Sequence, residues 1–144
     1  MKLEYLFVLS SYREFVTHRL VTGQFQDFQL FGNDAWPSDC PWPNFSADTL
    51  ALTIRANFAV CAQYLPKTVN MLSERCQALF ALHYEDRWYL LHLLSSPDQN
   101  GQAMFRLLAG GQPTLKPALE QPEIDVGWQV PEELATFYSA FNGF

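Results

Sequence analysis

The sequence predicts an α+β fold in which an antiparallel β-meander packs against two or three helices. Three apolar, strand-like segments follow one another between residues 78 and 108, with turn-forming residues between them. Two earlier segments instead repeat their apolar residues at the 3.6-residue period of an α-helix. Because 49% of the 144 residues are hydrophobic, the chain has enough apolar material to form a core of this kind.

The N-terminal segment KLEYLFVLS carries apolar residues on both of its alternating faces, which predicts a largely buried strand. Ser11 and Glu14 then form a capping-box pattern, so a helix is expected to start there and to end at Gly23. A short strand is expected around Phe28 to Phe31. The predicted buried face of the helix consists of Tyr12, Phe15, Val16 and Leu20.

Residues 36–45, WPSDCPWPNF, contain three prolines within seven residues, a density that excludes regular structure. Two interpretations of the tryptophans in this loop stay open. Trp36 and Trp42 form an exposed aromatic platform for a protein partner, or they fold back and cover the core.

A second helix is predicted from a cap at Ser46 or Asp48 to Leu65, where Pro66 stops it. Its apolar stripe is Leu50, Ile54, Phe58, Cys61 and Leu65.

The meander follows, with strands expected at residues 78–84, 88–94 and 103–108 and with turns at 85–87 and 97–101. Glycines and prolines then recur between residues 110 and 127 without periodicity, which is typical of an irregular connection.

Composition narrows the classes of function and location. The nine Lys and Arg residues are scattered and the net charge is −6, so binding to nucleic acid is not expected. The N-terminal apolar run from Leu6 to Leu9 is too short for a signal sequence, and no segment has the roughly 20 apolar residues of a membrane span. Three cysteines without CxxC spacing predict reduced thiols and a cytoplasmic location.

Motifs for catalysis or metal binding are missing from the sequence. His83 and His92 lie in adjacent predicted strands, and one register would place both on the same face, where Cys40 or Cys76 could complete a zinc site. The spacing matches neither HExxH nor CxxC, so structural roles are expected for these histidines and for His18. Because GxSxG and phosphate-loop patterns are also missing, neither a catalytic activity nor a cofactor or metal is expected.

The closing segment, WQVPEELATFYSAFNGF, has the pattern of a complete helix. Pro131 suits the first helical position, and Glu132 and Glu133 suit the positive end of the helix dipole. Asn142-Gly143 supplies the stop signal. The apolar stripe between these ends is Leu134, Phe137, Tyr138 and Phe141.

This segment resembles the opening motif of the SUKH superfamily, which includes yeast cell-wall-synthesis regulators and many bacterial immunity proteins. The resemblance covers about 17 of 144 residues. In the family an antiparallel sheet follows the Asn-Gly pair, whereas this sequence ends one residue after it. The residues that carry the resemblance are Trp128, Pro131, Leu134, Phe137, Tyr138, Asn142 and Gly143.

Three segments are therefore expected: an α+β domain at 1–112, a Pro/Gly-rich connection at 113–127, and a helix at 128–144 that begins a truncated SUKH-like domain. In the alternative division, this helix belongs to residues 1–127.

The resemblance implies a bacterial protein that acts non-catalytically by protein–protein interaction, as an immunity or antitoxin component that neutralises a toxin. Residues 117–144 contain five acidic and no basic residues, which suits a basic toxin or a secretion-associated protein as partner. The residues expected to bind the partner are Trp36, Trp42, Trp128, Glu132 and Glu133.

Two other classes of function remain open. One is a small-molecule-binding or enzymatic domain whose pocket lies between the meander and the 48–65 helix and contains His83, His92 or Tyr84. The other is a structural subunit whose aromatic residues form a homodimer interface.

Overall fold

The computed structural model describes residues 3–111, 121, 125–127 and 132, and within residues 3–111 it confirms the predicted α+β fold. The helices are α1 (Leu3–Thr22), α2 (Leu50–Asn57) and α3 (Pro66–Arg75). The strands are β1 (Gln29–Phe31), β2 (Cys76–Tyr84), β3 (Arg87–Pro97) and β4 (Ala103–Gly111). Among the described residues, no helix combines the length and the apolar character that crossing a membrane would require.

The sheet has the strand order β1-β2-β3-β4, and every neighbouring pair is antiparallel, so the predicted meander is confirmed. Glu85 and Asp86 connect β2 to β3, and both have positive φ angles, 51° and 60°. Positive φ at both central residues characterises the two-residue turn whose twist matches that of the flanking strands. The turn therefore sets the register in which Tyr84 pairs with Arg87.

The connection from β3 to β4 is closed by the Asp98 side chain. Its Oδ1 accepts hydrogen bonds from the backbone N–H groups of Asn100, at 2.8 Å, and Gln102, at 2.9 Å. Gly101 follows with φ of 79°, a left-handed conformation that glycine adopts without steric cost. These contacts explain why the turn signal at residues 97–101 was reliable.

Both faces of β2 and β3 are buried along most of their length, which explains why these two strands are mainly apolar. One face packs against α2, α3 and the 36–45 loop, and the other packs against α1. The register pairs Leu79 with His92 on the first face and Phe80 with Leu91 on the second.

The prediction of a strand at the N-terminus is wrong, because α1 begins at Leu3 and continues to Thr22. No glycine or proline interrupts residues 3–22, and each residue added to an existing helix gains a backbone hydrogen bond. Arg13 ties α1 to the segment after it. Its guanidinium donates to the backbone oxygen of Leu30 at 3.2 Å and forms an ion pair with Asp34 at 2.8 Å.

The predicted 48–65 helix is also corrected. It divides into α2 and a short 3-10 turn, Ala59–Cys61, and Pro66 begins α3 instead of only stopping the preceding helix. Proline suits the first turn of a helix, where its missing N–H would have no helical partner. Ile54, Phe58 and Cys61 are buried as predicted, whereas Leu65 is 37% exposed.

Candidate functional site

The 36–45 loop folds back onto the core. Trp42 is only 5% exposed and belongs to the apolar cluster on the α2 side of the sheet. Trp36 is half-buried, donates its indole N–H to the backbone oxygen of Trp42 at 3.0 Å, and meets the Phe45 ring edge-on at 5.5 Å. This corrects the predicted platform at Trp42, because burial of a large aromatic side chain against the core removes it from a partner's reach.

The other residues of the predicted partner surface lie near the C-terminus. Glu132 is helical and exposed. Trp128 and Glu133 lie outside the described residues. A role for these three residues in binding a partner stays a prediction.

His83 and His92 share one face of the sheet, which is the register considered for a zinc site. His92 is fully buried, and this burial lowers the pKa of its imidazole to about 4, against an opposing hydrogen bond with the Leu108 backbone. Burial raises the pKa of Cys76 to about 12, which disfavours the thiolate that zinc requires. Among the described residues, no three His, Cys, Asp or Glu side chains are grouped closely enough to share a metal ion.

The space between the meander and α2 is filled by side chains, so the pocket predicted there is corrected. Ile54 and Phe58 from α2 and its C-cap are at most 1% exposed, as are Leu79 and Leu90 from the strands beneath them. The Phe58 ring lies 5.9 Å from the His92 ring within this core. A ligand pocket at this place would require the core to open.

An apolar cavity of about 320 Å³ lies on the opposite face, between the C-terminal end of α1 and strands β2, β3 and β4. Leu82 and Leu91 form its floor and are at most 3% exposed. The apolar side chains that line the cavity are Leu20, Phe25, Leu82, Leu91, Leu107 and Ala109.

Three side chains with polar groups complete this lining: Arg19, Tyr84 and Tyr89. The Arg19 guanidinium lies over the Phe15 ring, 5.4 Å from its centroid. Tyr84 meets Phe25 in a T-shaped contact with ring centroids 4.9 Å apart. An apolar cavity with a few polar groups at its margin is the usual form of a small-molecule site.

A second, polar cavity of about 490 Å³ adjoins the first at the β2–β3 turn, and Tyr84 belongs to both linings. The loop between α1 and β1 contributes Gln24, Gln26 and Asp27, while the turn contributes Glu85 and Asp86. The remaining lining residues are Gln29 and His83.

The pKa of Tyr84 is affected by the carboxylates around this cavity. Desolvation raises the pKa of its phenol, and the negative charge of Glu85, to which the hydroxyl donates a hydrogen bond, raises it further. Asp27 adds a smaller effect in the same direction. Glu85 and Asp27 thus add negative potential at the Tyr84 hydroxyl, beside the larger effect of desolvation on its pKa.

Comparison of the chain with protein-family models, curated proteins and solved structures found no match. The SUKH resemblance therefore stays a prediction. Sequence reasoning had named Tyr84 and His83 as possible pocket residues, but it missed Phe25, Tyr89 and Arg19. The alternation that places Leu82 and Tyr84 on one face of β2 was a usable signal for two of the lining residues.

Proposed function

We propose that the protein binds a small, largely apolar molecule in the cavity between α1 and the meander. The observation that supports this proposal is the 320 Å³ volume lined by six apolar side chains with polar groups beside them. Small-molecule sites commonly have volumes of about 300–1,000 Å³ and linings of this composition.

The exposure of residues beside the cavity strengthens the proposal. At the centre of the α1 face, Phe80, Leu91 and Leu93 are each at most 1% exposed. On β4, Leu107 is half-buried and Ala109 is exposed although both border an apolar cavity. A bound apolar molecule would complete the burial of these residues.

Titration with N-phenyl-1-naphthylamine, a neutral fluorescent probe for apolar sites, tests the proposal. We expect saturable binding of one probe per chain. Ala109→Trp should weaken binding at least about tenfold, because the indole occupies the cavity. Met104→Trp is the matched control on the same strand, outside the cavity lining, and should bind as the parent does. Unsaturable binding, or equal affinity of the Ala109→Trp variant, would refute the proposal.

Protein–protein interaction, including the predicted immunity role, is the second candidate. Leu52 and Val60 are 66% and 54% exposed, and they follow one another with Ala56 at four-residue spacing along α2 and the turn after it. A contiguous exposed apolar patch, unlike a single exposed apolar side chain, is typical of surfaces that bind partners. We expect a protein captured from a bacterial lysate by the parent chain to be lost with Leu52→Asp and retained with Thr49→Asp. Capture that Leu52→Asp does not reduce would count against this surface.

A further inference from the structure

The apolar and the polar cavity share one lining residue, Tyr84, and Phe25 packs against it. Phe25 and Tyr84 meet edge to face at 4.9 Å. Phe25 lines the apolar cavity, whereas its chain neighbours Gln24 and Gln26 line the polar one. Tyr84 lines both. A molecule bound beside Tyr84 can therefore reach both compartments.

The polar compartment is acidic. Among the described residues, its lining includes the carboxylates of Asp27, Glu85 and Asp86 and no Lys or Arg; Arg87, which pairs with Tyr84, directly follows the turn. The loop and the turn present these carboxylates from two different segments of the chain, and Asp27, Glu85 and Asp86 all adopt positive φ angles. Several carboxylates around one cavity attract a cation more strongly than a single one does.

Arg19 lines the apolar cavity, and an aromatic ring holds its guanidinium. The guanidinium lies over Phe15, one helical turn back along α1. Phe15 in turn contacts Phe105 near the start of β4, at a ring distance of 5.8 Å. The charge of Arg19 therefore lies beside Phe15, which is not among the described residues that line the cavity.

We propose that the ligand is a cationic amphipath, with its apolar body between α1 and the meander and its ammonium head beside Asp27, Glu85 and Asp86. This inference rests on the proposed function and specifies the class of ligand. The Tyr84 ring lies where body and head meet, and the face of an aromatic ring attracts an ammonium group. An organic ammonium group suits this compartment because it is large and its charge is spread over several atoms. Carboxylates on different segments of the chain can therefore contact it together.

Three ligands with the same alkyl chain test this assignment by displacement of N-phenyl-1-naphthylamine: decyltrimethylammonium, decanol and decanoate, each used below its micellar concentration. At low ionic strength we expect decyltrimethylammonium to bind about fivefold or more tightly than decanol, and decanoate to bind most weakly. The ammonium preference should shrink as salt is added, because these carboxylates are exposed.

The double variant Asp27→Asn, Asp86→Asn removes two charges, and asparagine tolerates the left-handed backbone at both positions. It should abolish most of the ammonium preference and leave the affinity for decanol unchanged. Asp39→Asn, which removes an exposed carboxylate outside both linings, is the matched control and should keep the preference.

The possible outcomes separate the two proposals. Equal binding of decanol and decyltrimethylammonium, or tightest binding of decanoate, would overturn the cationic head while the apolar site stands. A preference that survives in the double variant would overturn the assignment to these carboxylates. Failure of all three ligands to displace a saturably bound probe would overturn the amphipath as ligand, whereas the lack of saturable probe binding would overturn the proposed function itself.

Discussion

The buried imidazole of His92 should make the protein less stable in mild acid. The side chain is fully buried on the α2 face of the sheet, and burial lowers its pKa from an ordinary 6.5 to about 4. Below pH 6.5 this imidazole is therefore protonated in the unfolded chain, whereas in the folded protein it stays neutral until about pH 4. Because the folded pKa is the lower one, stability is present above pH 6.5 and falls as the pH drops through this window.

The size of the effect follows from the two pKa values. A difference of about 2.5 pKa units corresponds to about 3.4 kcal/mol when the pH has passed through the whole window. Between pH 7 and pH 5 the expected loss of unfolding free energy from His92 is about 2 kcal/mol. Urea denaturation at both pH values, followed by tryptophan fluorescence, measures this loss.

The variant His92→Leu isolates the contribution of this imidazole, since it keeps a buried side chain of similar volume and removes the titration. All other groups are common to both proteins, so the loss between pH 7 and pH 5 should be about 2 kcal/mol smaller in the variant. Leu52→Gln, an exchange at an exposed site on α2 that removes no titratable group, should behave as the parent does. Equal losses in the parent and in His92→Leu, within about 0.5 kcal/mol, would refute the reasoning.

Three further outcomes are expected. Phe58→Ala should lower the unfolding free energy by about 3–5 kcal/mol in urea denaturation, because this side chain is 1% exposed and leaves a cavity. Gly101→Ala should cost about 1 kcal/mol by the same assay, since φ is 79°, whereas Gly101→Asn should cost less. In a titration with a disulfide reagent, the half-buried Cys40 should react first, while the buried Cys61 and Cys76 should react only as fast as the protein unfolds.

The meander could be predicted because its determinants are local. The β3–β4 turn depends on hydrogen bonds within Asp98–Gln102 and on the glycine at 101. The sequence itself shows the turn-forming residues that make these contacts. The β2–β3 turn likewise lies between two mainly apolar runs, each of which contains a single histidine. Strands that pair with their neighbours in the chain can be predicted from local sequence, because their pairing does not depend on distant segments.

The helices were predicted less well because the residues at their ends are compatible with more than one structure. Pro66 ends one helical pattern and begins another, and only the buried positions Val69 and Leu72 decide that α3 follows it. At the N-terminus, an apolar run suits a strand as well as a helix. This run is helical because it continues without a break into the helix at residues 10–22, and not because of its own apolar pattern.

The candidate site could not be predicted from the sequence because it results from unequal coverage of the two faces. Four strands spaced about 4.8 Å apart form a sheet about 15–19 Å wide, whereas a helix with its side chains is about 10–12 Å across. On one face α2, α3 and the 36–45 loop share the width. On the other, α1 is the one described helix that packs on the sheet.

A single helix cannot cover that width, so a strip of apolar sheet beside α1 lacks helical cover from the described residues. The strip lies at the C-terminal end of α1, where Leu20 still reaches the sheet but Leu107 and Ala109 are left partly exposed. Tyr84, Tyr89 and Phe25 border it with rings that offer both an apolar surface and, in the tyrosines, a polar tip. An apolar molecule in the strip would bury the apolar surface of this face, as α2 and α3 bury that of the other. The carboxylates beside Tyr84 would then orient the molecule with its charged end toward them.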